Sequence, residues 1–227
     1  LRASVAQSQL RNHGYFRGTV NYEEKPYSKH PKAKIAYHVD CGHLFTIDTV
    51  TYSNFPLNAD SLIAASADEA KIKSGSPFDV VSLDAERNRL SNLFRNNGYY
   101  YYQPSYASYR ADTVNTPGKV KLDVELADNL PEKALKKWYI GNISINLRRT
   151  FMEELKDSIH YYFFRAYFNG KKPPVRPRVI MSDMKLRHGQ PYDYSKHTES
   201  NNRIASKGMF SSVDFQFTPR DTTAACD

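Results

Sequence analysis

The fold is decided between Gly75-Ser76-Pro77-Phe78-Asp79 and Phe94-Arg95-Asn96-Asn97-Gly98-Tyr99-Tyr100, which bracket one amphipathic stretch. In the first run, Gly and Pro interrupt the preceding strand, and Asp79 or Ser82 can accept hydrogen bonds from the free N–H groups at a helix start. In the second run, Gly98 can take the left-handed conformation that ends a helix, and the aromatic residues after it favour extended chain. The pattern therefore predicts a helix over residues 82–97.

Both signals recur along the chain. The helix-ending pattern, a glycine followed by two large apolar residues, occurs at Gly14, Gly98 and Gly208. The helix-starting pattern, Gly-x-Pro-aromatic-Asp, occurs again at Gly189-Gln190-Pro191-Tyr192-Asp193. Such recurrence is typical of a tandem array of similar units. We expect these motif residues to have structural roles: Gly14, Gly75, Phe78, Asp79, Gly98, Gly189, Tyr192 and Gly208.

The middle unit shows all of its elements in the hydrophobic pattern. Residues 44–50 and 120–126 alternate apolar and polar side chains, which predicts two strands. Residues 58–70 predict a first helix, capped by Asn58 or Asp60. The second helix, 82–97, places Arg87, Arg89 and Arg95 largely off its apolar face. Aromatic residues 99–110 predict a further strand, followed by a turn at 115–118. The predicted order is β-α-α-β-β.

The same order of helices and strands can be assigned to the chain before and after the middle unit, which predicts three modules. Residues 1–41 hold the C-terminal part of a first module, with strands at 15–24 and 34–39. Residues 42–130 form a complete middle module. Residues 136–227 form a third module with strands at 139–147, 179–186 and 210–217 and a helix at 194–207. An insertion at about 148–177 is interpreted as a strand and a basic turn, and the final strand is missing or lies beyond the chain end.

These tandem units resemble POTRA domains, most specifically over residues 78–109 and at the junctions 37–47 and 139–143. The resemblance implies an α+β fold in which each module has a three-stranded mixed sheet with two helices on one face. Among POTRA proteins, the chain is most similar to the arms of BamA/TamA-type outer-membrane assembly factors. The lipoprotein-type, TamA-like members, which carry a C-terminal β-barrel of the surface-antigen class, fit best.

The resemblance also implies a function. We expect a periplasmic arm attached to an outer-membrane β-barrel that is absent from this chain, with a role in protein assembly and barrel biogenesis at the cell outer membrane. Its partners would be unfolded outer-membrane proteins or accessory subunits, bound partly by addition of a strand to a sheet edge. One alternative is a periplasmic adaptor of cell division or two-partner secretion. A less favoured alternative is a basic nucleic-acid-binding module.

A sheet of three strands has edges whose backbone groups are unpaired. In POTRA domains the strand after the second helix lies at an edge, which here implies residues 99–109. Tyrosine supplies a large contact area with a polar tip, so we expect client contacts there. The alternative is that half of these side chains face the helices as core. The candidate residues are Tyr99, Tyr100, Tyr101, Tyr102, Tyr106 and Tyr109.

The sequence gives little indication of catalysis or of metal binding. No serine lies in a Gly-x-Ser-x-Gly elbow and no Gly-rich phosphate loop occurs, so we expect neither enzyme activity nor a cofactor. His38, Cys41 and His43 lack a fourth metal ligand, so no metal is expected. The net charge of +8 is consistent with peripheral contact with an anionic membrane surface, although a solvated basic surface is the simpler interpretation. We expect no nucleic-acid partner, because residues 120–126 mix charges of both signs.

Overall fold

The computed structural model describes residues 2–26, 33–114, 116–220 and 225–226. The chain divides into two compact units. The first unit comprises Leu1–Ser91 and Pro104–Asn129, and the second unit comprises Asn92–Gln103 and Leu130–Asp227. Asn115 of the predicted turn lies outside the described residues.

The first unit contains an antiparallel two-stranded ribbon and a mixed three-stranded sheet. In the sheet the order is β3 (Thr46–Ser53), β5 (Lys119–Leu126) and β4 (Ala107–Asp112), with β3 parallel and β4 antiparallel to the central β5. This is the predicted β-α-α-β-β unit, in which two helices lie between the first and second strands. The elements up to Leu126 are α1 (Arg2–Asn12), β1 (Thr19–Pro26), β2 (Ala33–Asp40), β3 (Thr46–Ser53), α2 (Leu57–Ala65), α3 (Val80–Asn96), β4 (Ala107–Asp112) and β5 (Lys119–Leu126). The last residues of α3, from Asn92 onward, are assigned to the second unit.

The core of the first unit forms because alternation along β5 turns one face of the sheet inward. Val120, Leu122 and Val124 are all at most 1% exposed. The start of α3 is confirmed, since Asp79 Oδ1 accepts a hydrogen bond from the N–H of Ser82 at 2.8 Å. The predicted cap of α2 is wrong: its N-cap residue is Pro56, with no side-chain hydrogen bond.

The second unit has a sheet with the same strand order and directions, formed by β7 (Ile143–Asn146), β9 (Phe164–Phe168) and β8 (Asp157–Tyr161), but its strands follow one another differently along the chain. Its β8–β9 hairpin precedes the two helices, whereas β4 and β5 follow theirs. Residues 148–177 thus supply two strands of the sheet, where one inserted strand was expected. The elements are β6 (Tyr139–Ile140), β7 (Ile143–Asn146), β8 (Asp157–Tyr161), β9 (Phe164–Phe168), α4 (Pro177–Asp183), α5 (Tyr194–Ser206) and β10 (Ala225–Cys226).

Three other strand predictions are wrong. Residues 179–186 were predicted as a strand, but most of them lie in α4, because Pro177 has the fixed φ that suits a helix start and Ile180 and Met184 lie one turn apart, facing the core. Residues 210–217 form no strand, although Phe215 and Phe217 pack on the core. Residues 99–106 form turns and a 3-10 helix, so the predicted strand 99–110 begins only at Ala107.

The recurring motifs make the same backbone hydrogen bonds in both units. In the first unit, the carbonyl of Gly14, whose φ is +88°, accepts from the N–H of Phe45 at 3.0 Å. The carbonyl of Phe45 in turn accepts from the N–H of Phe78 at 2.9 Å, and the N–H of Gly75 donates to Ile47 at 2.7 Å. We call this set of bonds the backbone relay.

The backbone relay of the second unit joins the corresponding residues. The carbonyl of Gly98, whose φ is +100°, accepts from the N–H of Trp138 at 2.8 Å. The N–H of Tyr192 donates to Trp138 at 2.9 Å, and the N–H of Gly189 donates to Ile140 at 2.7 Å. The repeated glycines and aromatics therefore hold together a helix end, a strand start and the start of the next helix.

Candidate binding surfaces

The first candidate surface is the outer edge of β4 in the first unit. The N–H of Ala127 donates to Tyr106 at 2.9 Å, and hydrogen bonding alternates along an antiparallel pair. The backbone groups of Ala107, Tyr109 and Ala111 therefore point away from β5. The carbonyl of Ala107 accepts from Arg87 Nε at 3.1 Å. Among the described residues, the outward groups of Tyr109 and Ala111 have no partner.

The other edge of this sheet, β3, is covered at its start. Residues of the helix-starting motif lie alongside it, and the N–H of Ile47 donates to the carbonyl of Ser76 at 2.8 Å. Ser74 Oγ also donates to the carbonyl of Asp48 at 2.5 Å. A strand that approached β3 would have to displace this segment, whereas β4 has no such cover in the described part of the chain.

Side chains on β4 are fixed on both faces of the sheet. The hydroxyl of Tyr109 donates to the carbonyl of Leu83 at 2.7 Å, and the guanidinium of Arg87 lies 4.8 Å from the centroid of its ring. Burial raises the pKa of Tyr109 well above its ordinary value, so the phenol stays protonated. On the opposite face, Arg110 pairs with Glu125 at 2.9 Å. These contacts therefore anchor β4 on both faces of the sheet.

The six predicted tyrosines fall into different environments. Tyr99 and Tyr102 are 4% and 3% exposed, and both pack edge-on against a neighbouring aromatic ring. Tyr100 and Tyr101 are half-buried in the second unit, with ring centroids 4.8 Å from Tyr192 and 5.2 Å from Trp138 respectively. The half-buried Tyr106 and Tyr109 belong to the first unit. Tyr99 and Tyr102 are therefore core residues, whereas the other four tyrosines keep part of their surface exposed.

The second candidate surface is the edge of β7, which pairs only with β9 in the described structure. A cavity of about 200 Å³ lies between this edge and residues 212–217. Its lining is mostly apolar and includes Ile143, Ile145, Met184, Phe210 and Phe215. The cavity is therefore a mostly apolar gap beside the outer edge of β7.

A histidine lies beside this second surface. The Nδ1 atom of His197 lies 3.1 Å from the hydroxyl of Tyr192, and its ring centroid lies 4.9 Å from that of Phe215. Burial lowers the pKa of His197, and the nearby positive charge of Arg95 lowers it further, against the opposing effect of Asp214. The neutral form of the imidazole is therefore favoured.

The sequence prediction missed a buried charge pair on α3. Arg89, expected largely off the apolar face, is 9% exposed, and Glu86 is 0% exposed. Their side chains form two hydrogen bonds, at 2.6 and 2.9 Å. The signal was present, because Glu86 lies on the same helical stripe as Leu83 and Leu90. An acid on an apolar stripe indicates a buried partner.

The pair is fully hydrogen-bonded. Glu86 also accepts from the hydroxyl of Tyr52 at 2.7 Å and from the N–H of Lys71 at 2.8 Å, while Arg89 donates to Ser66 Oγ at 2.8 Å. Burial alone would raise the pKa of Glu86, but the hydrogen bonds from Arg89, Lys71 and Tyr52 outweigh it and lower the pKa. An acid that is charged and saturated with donors is suited to holding structure rather than to proton transfer.

Among the described residues, no group of three or more His, Cys, Asp or Glu side chains could hold a metal ion. His43, one of the three residues considered from the sequence, has Nε2 at 3.3 Å from the carbonyl oxygen of Gly118. No described helix is long and apolar enough to cross a bilayer.

Comparison with known proteins identifies the fold. No family model and no curated protein matches the sequence. The crystal structure of POTRA domains 3–5 of BamA from Haemophilus influenzae is similar with a TM-score of 0.54 and 10% identity, covering 99% of this chain and 76% of that one. BamA from Haemophilus ducreyi lacking POTRA domains 1–3 gives a TM-score of 0.56 at 11% identity, covering 80% of this chain and 28% of that one. The predicted α+β fold is confirmed, and it is that of POTRA domains.

Proposed function

We propose that this chain is the periplasmic POTRA arm of an outer-membrane β-barrel assembly or translocation protein. Its partners are unfolded outer-membrane proteins or accessory subunits of the assembly machinery. The observation that carries the proposal is the edge of β4, where Tyr109 and Ala111 present outward backbone groups. The POTRA fold supports it, and the motif resemblance favours a TamA-like member with a surface-antigen barrel.

Binding occurs by addition of a client strand to β4. Each outward residue of an edge strand offers one N–H and one C=O, so a client strand gains main-chain hydrogen bonds whatever its side chains. This tolerance suits a protein that handles many barrel strands, which share alternation but not sequence. Tyr106 and Tyr109 lie next to or on the edge and contribute contact area. Tyr99 and Tyr102 support it only through the core, because they are buried.

A proline substitution at Ala111 tests this mechanism. Ala111 is exposed, and its N–H points away from β5, so Ala111→Pro removes an outward donor without removing a hydrogen bond of the sheet. The matched control is Ala111→Val, which keeps the N–H and favours a strand. The probe is a labelled ten-residue peptide of alternating apolar and polar residues, with binding followed by fluorescence anisotropy.

We expect Ala111→Pro to weaken peptide binding by about tenfold and Ala111→Val to change it by less than about twofold. Far-UV circular dichroism of both variants should match the unmodified chain. Equal binding by the proline variant would contradict strand addition at β4. Loss of binding in both variants would indicate recognition through side chains instead.

A further inference from the structure

A solvent-exposed apolar pair lies at the corner of a tight turn in the second unit. Phe151 and Met152 are 84% and 86% exposed, and they are the two central residues between Thr150 and Glu153. The N–H of Glu153 donates to the carbonyl of Thr150 at 3.1 Å, which closes the turn. Turn corners usually carry small or polar residues, so packing within the unit does not explain this pair.

The turn is held from below. Asn169 Nδ2 donates to Glu153 Oε1 at 2.8 Å and to the carbonyl of Glu154 at 2.7 Å. Asn169 Oδ1 accepts from the N–H of Lys156 at 2.8 Å. These bonds tie the turn to the residue that follows β9. We call this hydrogen-bonded segment the base of the turn, and the two exposed apolar side chains lie at its tip.

Positive charge is concentrated around this base. The second unit has 18 Lys and Arg against 10 Asp and Glu, whereas the first unit has 14 of each, so the whole net charge of +8 belongs to the second unit. Residues 148–178 alone carry eight Lys and Arg against three Asp and Glu. Because β7 and β9 are parallel and β8 is antiparallel to them, the end of β7, the start of β8 and the end of β9 meet at one end of the sheet.

The cations at this end are available for a ligand. None of them forms an ion pair within the described part of the chain. Two of the three acids are engaged instead, Glu153 by the N–H of Arg149 and by Asn169, and Asp157 by the N–H of Gly170 at 2.8 Å. The cations are Arg148, Arg149, Lys156, Lys171 and Lys172.

We propose that this end of the second unit docks on a membrane surface that carries anionic lipids. Phe151 and Met152 enter the boundary between head groups and acyl chains, and the five surrounding cations bind lipid phosphates. An apolar tip ringed by cations matches an interface that is apolar inside and anionic outside. A protein partner would need a contiguous apolar patch of some hundreds of Å², which a two-residue convex tip does not offer. The proposal goes beyond strand addition and involves other residues.

The test is flotation of this chain with vesicles of phosphatidylethanolamine and phosphatidylglycerol, compared with vesicles of phosphatidylcholine. The Phe151→Ser/Met152→Ser variant should lower binding to the anionic vesicles about tenfold. The matched control is Tyr162→Ser/Phe163→Ser, because these residues are 90% and 60% exposed at the opposite end of the same sheet. It should change binding by less than about twofold.

A charge variant tests the other half of the proposal. Lys171→Ala/Lys172→Ala should lower binding to anionic vesicles about tenfold, whereas Lys25→Ala/Lys34→Ala, which removes two cations from the first unit, should not. Membrane insertion is measured with Phe151→Trp, because the fluorescence emission of the new tryptophan should shift to the blue when it enters the membrane. The native Trp138 is already buried, so its emission should change little.

Binding that survives the serine change at Phe151 and Met152 overturns the proposal. Equal loss in the Tyr162 and Phe163 control, or equal binding to phosphatidylcholine, does so as well. A photo-crosslinker at position 151 that reacts in cells with a protein and not with lipid would assign the turn to a protein partner. Because β4 is unchanged in all of these variants, failure here leaves the strand-addition proposal standing.

Discussion

Replacing Glu86 with alanine should destabilise the first unit far more than any exposed charge change on the same helix. The side chain of Glu86 is fully buried and accepts four hydrogen bonds, two of them from Arg89. The substitution leaves the guanidinium of Arg89, which is 9% exposed, without its counter-ion. It also removes the acceptor of the Tyr52 hydroxyl and of the Lys71 N–H.

The size of the effect follows from these losses. Breaking a buried ion pair by removing one partner costs about 3–5 kcal/mol, and the part-buried N–H of Lys71 loses its acceptor as well. We therefore expect Glu86→Ala to lower the free energy of unfolding by at least about 4 kcal/mol, against a typical domain stability of about 5–15 kcal/mol. Replacing both charges, as Glu86→Leu/Arg89→Met, should cost less than Glu86→Ala, because no charge is left buried alone.

The assay is urea unfolding followed by far-UV circular dichroism, with hydrogen exchange of the β5 amides to report on the first unit. The matched control is Asp84→Ala on the same helix. Asp84 pairs with Arg87 at the same three-residue spacing, at 3.4 Å, but both side chains are substantially exposed. This control should change the free energy of unfolding by less than about 1 kcal/mol.

The pH dependence gives a second measurement. Since the pKa of Glu86 is lowered in the folded state, its stabilising effect is complete above the unfolded pKa of about 4.3 and is lost as the pH falls through the folded value. Glu86→Gln should remove this part of the acid sensitivity. If Glu86→Ala costs no more than Asp84→Ala, or if the double replacement costs more than the single one, the account of Glu86 and Arg89 as a mutually dependent buried pair is wrong.

Two further predictions concern the second unit and the backbone relay. Burial and the charge of Arg95 lower the pKa of His197, against the opposing effect of Asp214, so the unfolded state takes up a proton at a higher pH than the folded state does. The stability should therefore fall as the pH drops below about 6.5. His197→Gln should reduce this dependence of thermal stability on pH, and an unchanged pH dependence would assign the effect to another group. Gly14→Ala should destabilise more than Gly75→Ala in urea unfolding. Both have positive φ, but a Cβ at Gly14 would meet a backbone carbonyl oxygen at 2.9 Å, whereas one at Gly75 would meet nothing within 4 Å. Equal costs would show that only φ strain matters.

Sequence reasoning located the elements whose ends carry local signals. The bounds of α3 were predicted within two residues, because Asp79 caps one end and Gly98 follows the other. The strand β5 was equally clear, since its alternation reflects a sheet with one buried face. These signals act over a few residues and need no knowledge of the rest of the chain.

The errors lie where distant contacts decide the structure. Residues 99–102 have strong strand propensity, yet packing among aromatic rings buries Tyr99 and Tyr102 in a turn. The β8–β9 hairpin was taken for an insertion, because pairing with β7 cannot be seen from local pattern. The tip at Phe151 and Met152 was not singled out, since exposure of an apolar pair appears only once the fold is known.

The backbone relay also bears on which edge of the first sheet is open. The helix-starting motif was predicted to interrupt the preceding strand and to begin α3. Its residues also lie along β3. Ile47 exchanges backbone hydrogen bonds with this motif segment, at 2.7 and 2.8 Å, so the start of that edge is closed to another strand. Covering an exposed edge is a common protection against unwanted pairing. Because β4 lacks this cover in the described residues, the motif that builds the module also leaves Tyr109 and Ala111 on the edge that the strand addition proposed above requires.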